Sequence, residues 1–303
     1  MTPPGGTVRV ADATPAATVR TVHDPDALRT ACHEARARGL RVAVVPTMGA
    51  LHEGHLALVD EARRRADFVV VTIFVNPLQF GPRDDFARYP RTLADDIALC
   101  GARGVDVVFA PAREAMYPDG FATSVSVRGV SEPLEGAHRP GHFDGVTTVV
   151  AKLFGLVGAS VAVFGRKDYQ QWKVIARMTR DLDLPVRIVG HRTIREPDGL
   201  ALSSRNRYLD ADARQRALGL VAGLRAAARD FDAGERDAGA LESAAHAEIA
   251  PRVDAIDYVA VRDPETLAPF DGPVRDRAVL AVAARLGTTR LLDNLVLGEE
   301  PTP

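Results

Sequence analysis

Two histidines three residues apart, His52 and His55, follow an apolar run that stops at Pro46 and a short loop carrying Met48 and Gly49. Side chains at i and i+3 of a helix share a face. At a helix start they are joined by free backbone N–H groups and the positive end of the dipole. That combination suits a polyphosphate, to whose oxygens imidazoles can donate hydrogen bonds as charge builds in a transition state. Two other readings stand beside it: a surface pair near a turn, and a metal pair. His52-Glu53-Gly54-His55 is one residue short of the i, i+4 spacing that zinc hydrolases use.

Further polar stretches follow apolar runs in the same way. Asn76 and Gln79 come after the run Phe68–Val75, where neutral amides can fix a carboxylate or hydroxyl of a small substrate; an ordinary Asn-Pro turn is the alternative. Gly165-Arg166-Lys167-Asp168 joins another apolar run to a helical stretch. Gly165 permits close backbone approach, Lys167 can hold a phosphate, and Asp168 can take a ribose hydroxyl or simply cap the helix. Ser203-Ser204-Arg205 offers two hydroxyls and a guanidinium in a row, a clamp for a triphosphate or a polar linker. Arg139 and His142 lie in a loop and can bind an anion, with Glu135 upstream able to orient a metal or a basic side chain.

The elements that must carry these residues alternate. Arg41–Pro46, Phe68–Val75, Val105–Ala110, Val161–Phe164 and Val186–Val189 read as strands, with Ser124–Arg128 as a further candidate. Asp24–Gly39, Leu56–Ala66, Thr92–Gly101, Gly145–Gly158 and Tyr169–Asp181 read as helices, the third with an exposed acidic pair, Asp95 and Asp96. Alternation of this kind predicts an α/β fold, a doubly wound parallel sheet. After Ile194 the texture changes to long alanine-rich helices, Asp210–Asp232 and Ala238–Ile249, and then strands at Ile256–Val261, Ala278–Ala283 and Arg290–Leu297. The expected organisation is a disordered leader over 1–21, a doubly wound domain over 22–193 and a smaller α+β domain over 194–303.

The 303 residues, 46% of them hydrophobic, suffice for two domains with cores. A net charge of −2 argues against a protein that wraps nucleic acid. The longest apolar run is too short to cross a bilayer, and no secretory segment precedes it, so no membrane partner is expected. Cys32 and Cys100 read as small buried side chains, in keeping with a cytoplasmic setting.

Seven segments, PTMGALHEGH, FVNPLQF, YPRTLADD, LEGAHRPGHFDGV, FGRKDYQQ, REPDGLALSSRNRYL and RLGTTRLLDN, occur in order from about Arg41 to Asn294. Together they resemble the pantoate–β-alanine ligase (pantothenate synthetase) family of the HxGH nucleotidyltransferase superfamily. The resemblance implies a Rossmann-like domain that binds ATP and pantoate, a smaller domain that lids it, and a homodimer. It implies attack of pantoate on the α-phosphorus of ATP, then attack of β-alanine on the pantoyl adenylate, with Mg2+ accompanying the triphosphate. On matched positions, His52, His55, Lys167, Ser203, Ser204 and Arg205 would contact phosphate and carry catalysis. Gly165 and Asp168 would hold the ribose, with Met48, Gly49, Ile194 and Leu202 completing the ATP site. Gln79, Gln171, Met48 and Asn76 would face pantoate, and Asp95, Asp96 and Glu135 match positions at the site's edge, the two aspartates as candidate metal ligands. Arg166 stands where the family usually has glutamate, and Leu202 where methionine is common. Another nucleotidyltransferase would need an acceptor-phosphate site instead of the amides. A non-catalytic nucleotide-binding protein would not need both the histidine and the Ser-Ser-Arg sets.

Overall fold

The computed structural model describes residues 19–81, 86–299 and 303. In chain order the elements are β1 (Arg20–Val22), α1 (Pro25–Ala37), β2 (Val42–Thr47), α2 (Glu53–Arg65), β3 (Phe68–Ile73), α3 (Leu93–Ala102), β4 (Val107–Phe109), α4 (Arg113–Met116), α5 (Glu135–His138), α6 (His142–Val157), β5 (Ser160–Gly165), α7 (Tyr169–Asp181), β6 (Val186–His191), α8 (Ala211–Asp232), α9 (Ala238–Ile249), β7 (Ala255–Arg262), β8 (Ala278–Leu286) and β9 (Thr289–Leu297). Local chemistry sets several of these limits. Asp24 accepts from the Ala27 N–H and Pro25 sits at the first helical position, starting α1. Asp210 and Asp237 cap α8 and α9 in the same way.

β1 to β6 form one sheet in the order β1–β4–β3–β2–β5–β6, every neighbouring pair parallel. Val42–Val45 and Val69–Val71 are buried on both faces, which is why these strands read as unbroken apolar runs rather than alternating ones. The chain winds outward from β2 through β3 to β4, then returns to place β5 on the other side of β2. That reversal opens a crevice beyond the carboxyl ends of β2 and β5, where ligands bind in open α/β sheets.

β7, β8 and β9 form a separate antiparallel sheet. Side chains alternate across it. Leu280, Val282, Leu291 and Leu295 pack with α8 and α9, while Val279 and Val296 join the core of the parallel-sheet layer. The small sheet is therefore apolar on both faces and is clamped between its own helices and the first layer.

Two expectations are corrected. Arg20 and Thr21, assigned to the leader, pair with Val107 and Val108 as an edge strand; residues 1–18 lie outside the described residues. Ser124–Arg128 is not a strand. Its backbone is held by side chains of α6: Val125 N–H donates to the Thr148 hydroxyl and the Thr147 hydroxyl donates to the Val125 carbonyl.

Candidate active site

The corner after β2 is built from beneath. Gly49 has φ +80° and Ala50 φ +50°, so two consecutive residues occupy the left-handed region, at a cost for Ala50. The Asp96 carboxylate accepts from the Ala50 N–H at 2.9 Å, the Leu51 N–H at 2.8 Å and the Thr92 hydroxyl at 3.2 Å. A Cβ on Gly49 would come within 2.9 Å of that carboxylate. Asp96 is thus buried, contrary to the expected exposed pair, and only Asp95 faces solvent. Neither Gly49, Asp95 nor Asp96 lines the cleft. The two carboxylates do not fit a metal site: one points to solvent and the other is consumed by backbone amides.

His52 is the N-cap of α2, and His55 is its third residue. The Gly54 N–H donates to His52 Nδ1 at 3.1 Å, and the His52 N–H approaches His55 Nδ1 at 3.4 Å. This is a capping box with two imidazoles in place of a hydroxyl and a carboxylate. Because Nδ1 accepts in both rings, each neutral ring carries its hydrogen on Nε2. The rings stack with centroids 4.1 Å apart. Burial, then Lys167 and Arg207, pull the His52 pKa down to about 4 against Asp168 and Glu53. Burial, then His52 and Lys167, bring His55 to about 3. Both are neutral donors at pH 7.

These rings border a cleft of about 250 Å³ that runs between the parallel sheet and the antiparallel one. On one side stands the amide group. Asn76 is buried and its polar atoms are occupied: it donates to Gln79 Oε1 and the Gly145 carbonyl and accepts from the Leu78 N–H and the Tyr117 hydroxyl. Its part is to orient Gln79, whose amide nitrogen lies 3.3 Å from Met48 Sδ. The Gln79 carbonyl accepts from Arg139 and from His142 Nδ1, so the loop read as able to bind an anion braces this turn and also borders the cleft. Gln171 borders the same space from α7.

On the other side stand the cationic and hydroxyl groups. Gly165, Lys167, Asp168, Ile194, Leu202, Ser203, Ser204 and Arg205 all border the cleft. A Cβ at Gly165 would meet no protein atom within 4 Å, which leaves room for a ligand. Asp168 precedes α7 without capping it, so its carboxylate is left to Lys167 at 3.7 Å and to the cleft. The Ser203 hydroxyl accepts from the Arg205 N–H, and the Tyr89 hydroxyl lies 3.5 Å from that of Ser204.

Arg166 does not border the cleft. Its guanidinium pairs with Glu299 at 2.9 Å and lies 5.3 Å from the Trp172 ring centroid. Sequence reasoning missed Tyr258, which borders the cleft beside Glu135, and Arg290 behind them: both donate to Glu135, making it the partner of a basic side chain and not of a metal. Burial favours the protonated Glu135, but Arg290 outweighs it and the pKa is lowered. Single residues inside ordinary strands carry no local mark of such a role; the one signal was that Arg290 belongs to the RLGTTRLLDN segment. Among the described residues no three His, Cys, Asp or Glu side chains converge as a metal site.

A doubly wound sheet with a neutral-donor helix start, a lysine turn and a hydroxyl-arginine loop at its switch point defines a nucleotide-binding α/β protein. The model of the family described as pantoate-beta-alanine ligase matches residues 20–296, and the chain belongs to that family. The pantothenate synthetase 1 of Bradyrhizobium diazoefficiens is 53% identical over 275 residues, covering 91% of this chain and 97% of that protein. The pantothenate synthetase of Moorella thermoacetica is 53% identical over 272 residues, 89% of this chain and 96% of that one. The crystal structure of pantothenate synthetase from Thermus thermophilus superposes with a TM-score of 0.85 at 49% identity, covering 91% of this chain and 99% of that one. Pantoate-beta-alanine ligase from Francisella tularensis, solved in complex with beta-gamma ATP and beta-alanine, gives a TM-score of 0.76 at 29% identity, covering 94% of this chain and 100% of that one.

Proposed function

We propose that this chain condenses pantoate with β-alanine at the expense of ATP, giving pantothenate, AMP and pyrophosphate through a bound pantoyl adenylate. The observation that carries the reading is one cleft bordered both by Gln79 and Gln171 and by the His52/His55, Lys167 and Ser203–Ser204–Arg205 set. A carboxylate oxygen of pantoate attacks the α-phosphorus. The bond from that phosphorus to the bridging oxygen breaks, and pyrophosphate leaves with the electron pair. Gln79 and Gln171 hold pantoate. The imidazole Nε2–H groups, Lys167 and the Ser203–Arg205 loop stabilise charge moving onto the leaving phosphates. Gly165 and Asp168 accommodate the ribose. The amine of β-alanine then attacks the acyl carbon, and AMP leaves as the C–N bond forms and the nitrogen loses a proton. No side chain needs to become covalently attached; the protein's contribution is alignment and charge.

The carboxylates near the site do not make a dedicated magnesium site, so Mg2+ would arrive with the triphosphate. The parallel sheet ends at His191 and the elements from Ala211 onward build the second layer, which supports a division near residue 194, with 194–303 as the lid. A homodimer is our reading of the assembly, resting on the family resemblance. No helix among the described residues is long and apolar enough to cross a membrane, and both cysteines are buried and free, which supports a cytoplasmic enzyme.

Incubation with magnesium, ATP and pantoate tests the reaction. Pyrophosphate should appear without β-alanine, and AMP and pantothenate should be released only when β-alanine is added. AMP release indifferent to β-alanine, or no turnover of ATP with pantoate, would remove this reading.

A further inference from the structure

Asp293 and Asn294 are adjacent on β9, each 3% exposed or less, and both border the cleft. Neighbouring residues of a strand point to opposite faces. Here the even face meets the parallel-sheet layer, through Val296, and the odd face meets α8, through Leu291 and Leu295. The two side chains therefore reach different loops. Asn294 Nδ2 donates to the carbonyls of Arg166, at 3.1 Å, and Lys167, at 2.6 Å. Asp293 takes Arg195 in a two-point pair at 2.7 and 3.0 Å, and Arg195 also donates to the Gly199 carbonyl. Arg195 and Ala201 are bridged, and the Leu202 N–H donates to the Ile194 carbonyl, so this pair fixes the small hairpin that delivers Ser203. The Asn294 N–H donates to Asp293 Oδ1 at 2.7 Å, tying one contact to the other.

We infer that Asp293 and Asn294 are positioning residues for the phosphate groups: β9 acts as a spacer that fixes the Lys167 turn and the Ser203–Ser204–Arg205 loop at one separation. Neither needs to touch the nucleotide. Asn294 holds the carbonyl of the residue whose ammonium group does, and Asp293 holds the hairpin that ends at the clamp. A strand buried on both faces is a rigid part from which to hang two loops, and a small misplacement of either reduces the gain from alignment. The second domain thereby sets the geometry of the site even before any closure.

This rests on the reading of Lys167 as a phosphate ligand, and a double-mutant cycle separates the two ideas. Pyrophosphate release with pantoate is followed for Lys167→Ala, Asn294→Ala, Asn294→Ser and the double variants, each checked for folding by its melting temperature. Asn294→Ala should lower kcat/KM for ATP by about ten- to hundredfold, with KM for pantoate changed less than about twofold. On the Lys167→Ala background the same change should cost less than about twofold more. Asn294→Ser, which keeps a short donor, should recover part of the loss and serves as the probe if the alanine variant does not fold. Asp293→Asn should couple in the same way to Arg205→Ala. Equal losses on both backgrounds, or parallel losses in both KM values, would overturn the inference and leave the phosphate reading standing. A Lys167→Ala variant with unchanged activity would overturn the phosphate reading itself.

Discussion

A neutral imidazole beside a lysine donates a hydrogen bond without adding a second buried charge. His52 and His55 reach that state through backbone geometry: amide N–H groups directed at both Nδ1 atoms leave Nε2 as the donor. Protonation would put a hydrogen on each Nδ1, facing those N–H groups, and would break the cap of α2. With folded pKa values of about 4 and about 3, both lie below the ordinary histidine value of 6.5. Between pH 6.5 and 4 the unfolded chain binds protons that the folded one refuses, so stability falls as pH falls through that window. The loss by pH 4 is on the order of 3 kcal/mol for each histidine. Urea unfolding of His55→Gln should therefore show a flatter dependence on pH between 6.5 and 4 than the parent chain; an unchanged slope would mean that His55 is not held neutral. The spacing of this pair was legible in the sequence, as was its place at a helix start. Its charge state was not, because burial and the approach of Lys167 depend on a turn more than a hundred residues away.

At the scale of elements, α3 serves the corner after β2 as much as it serves its own layer. Asp96 neutralises two amides that the left-handed turn at Gly49 and Ala50 turns away from any strand or helix. Asp96→Ala would leave both N–H groups buried without an acceptor, at a cost of roughly 2–4 kcal/mol. It should also raise KM for ATP, because the loop that positions His52 loosens. Asp96→Asn keeps an acceptor and should lose about half as much. Denaturant unfolding with steady-state kinetics checks both, and an Asp96→Ala variant as stable as the parent would refute the bracing role. Most elements could be read from period and caps: the limits of α7 and α9 coincide with their apolar stripes, and Gly158 and Asp210 mark ends as such residues do. Asp96 could not be read, since two acidic residues in a first turn are what an exposed helix start also shows. Ser124–Arg128 misled for a related reason. Its alternation is real, but its backbone partners are threonine hydroxyls on α6 and not another strand.

For the whole molecule, the question is what ties the antiparallel layer to the parallel one. Glu135 with Arg290 and Tyr258, Asn294 with the Lys167 turn, and Arg166 with Glu299 all cross that boundary. Glu135 was legible as able to orient a basic side chain, but none of the pairings was, because each joins residues distant in sequence, and the face that β9 presents is settled only by packing. The arrangement decides what the arginine at position 166 does. It points toward Glu299 and the Trp172 ring and does not border the cleft, so it is not placed to contact a ligand there. The Glu299 carboxylate is favoured in its protonated form by burial, but Arg166 and Arg277 outweigh this and lower its pKa. Arg166→Glu would set two carboxylates against each other at the domain boundary. Its expected cost is about 1–2 kcal/mol of stability, the range of a partly buried pair that is lost and replaced by repulsion. Turnover should change less than about twofold, since the Lys167 turn is still held by Asn294 and position 166 does not border the cleft. Glu299→Arg in the same chain restores opposite charges toward position 166 but gives up the pair with Arg277 at 2.7 Å, so it should return only part of the lost stability. Melting temperatures and kcat of the two single variants and the double variant decide this. A large gain in turnover for Arg166→Glu would show that the native arginine hinders the site, and additive losses in the double variant would show that Arg166 and Glu299 do not act as a pair.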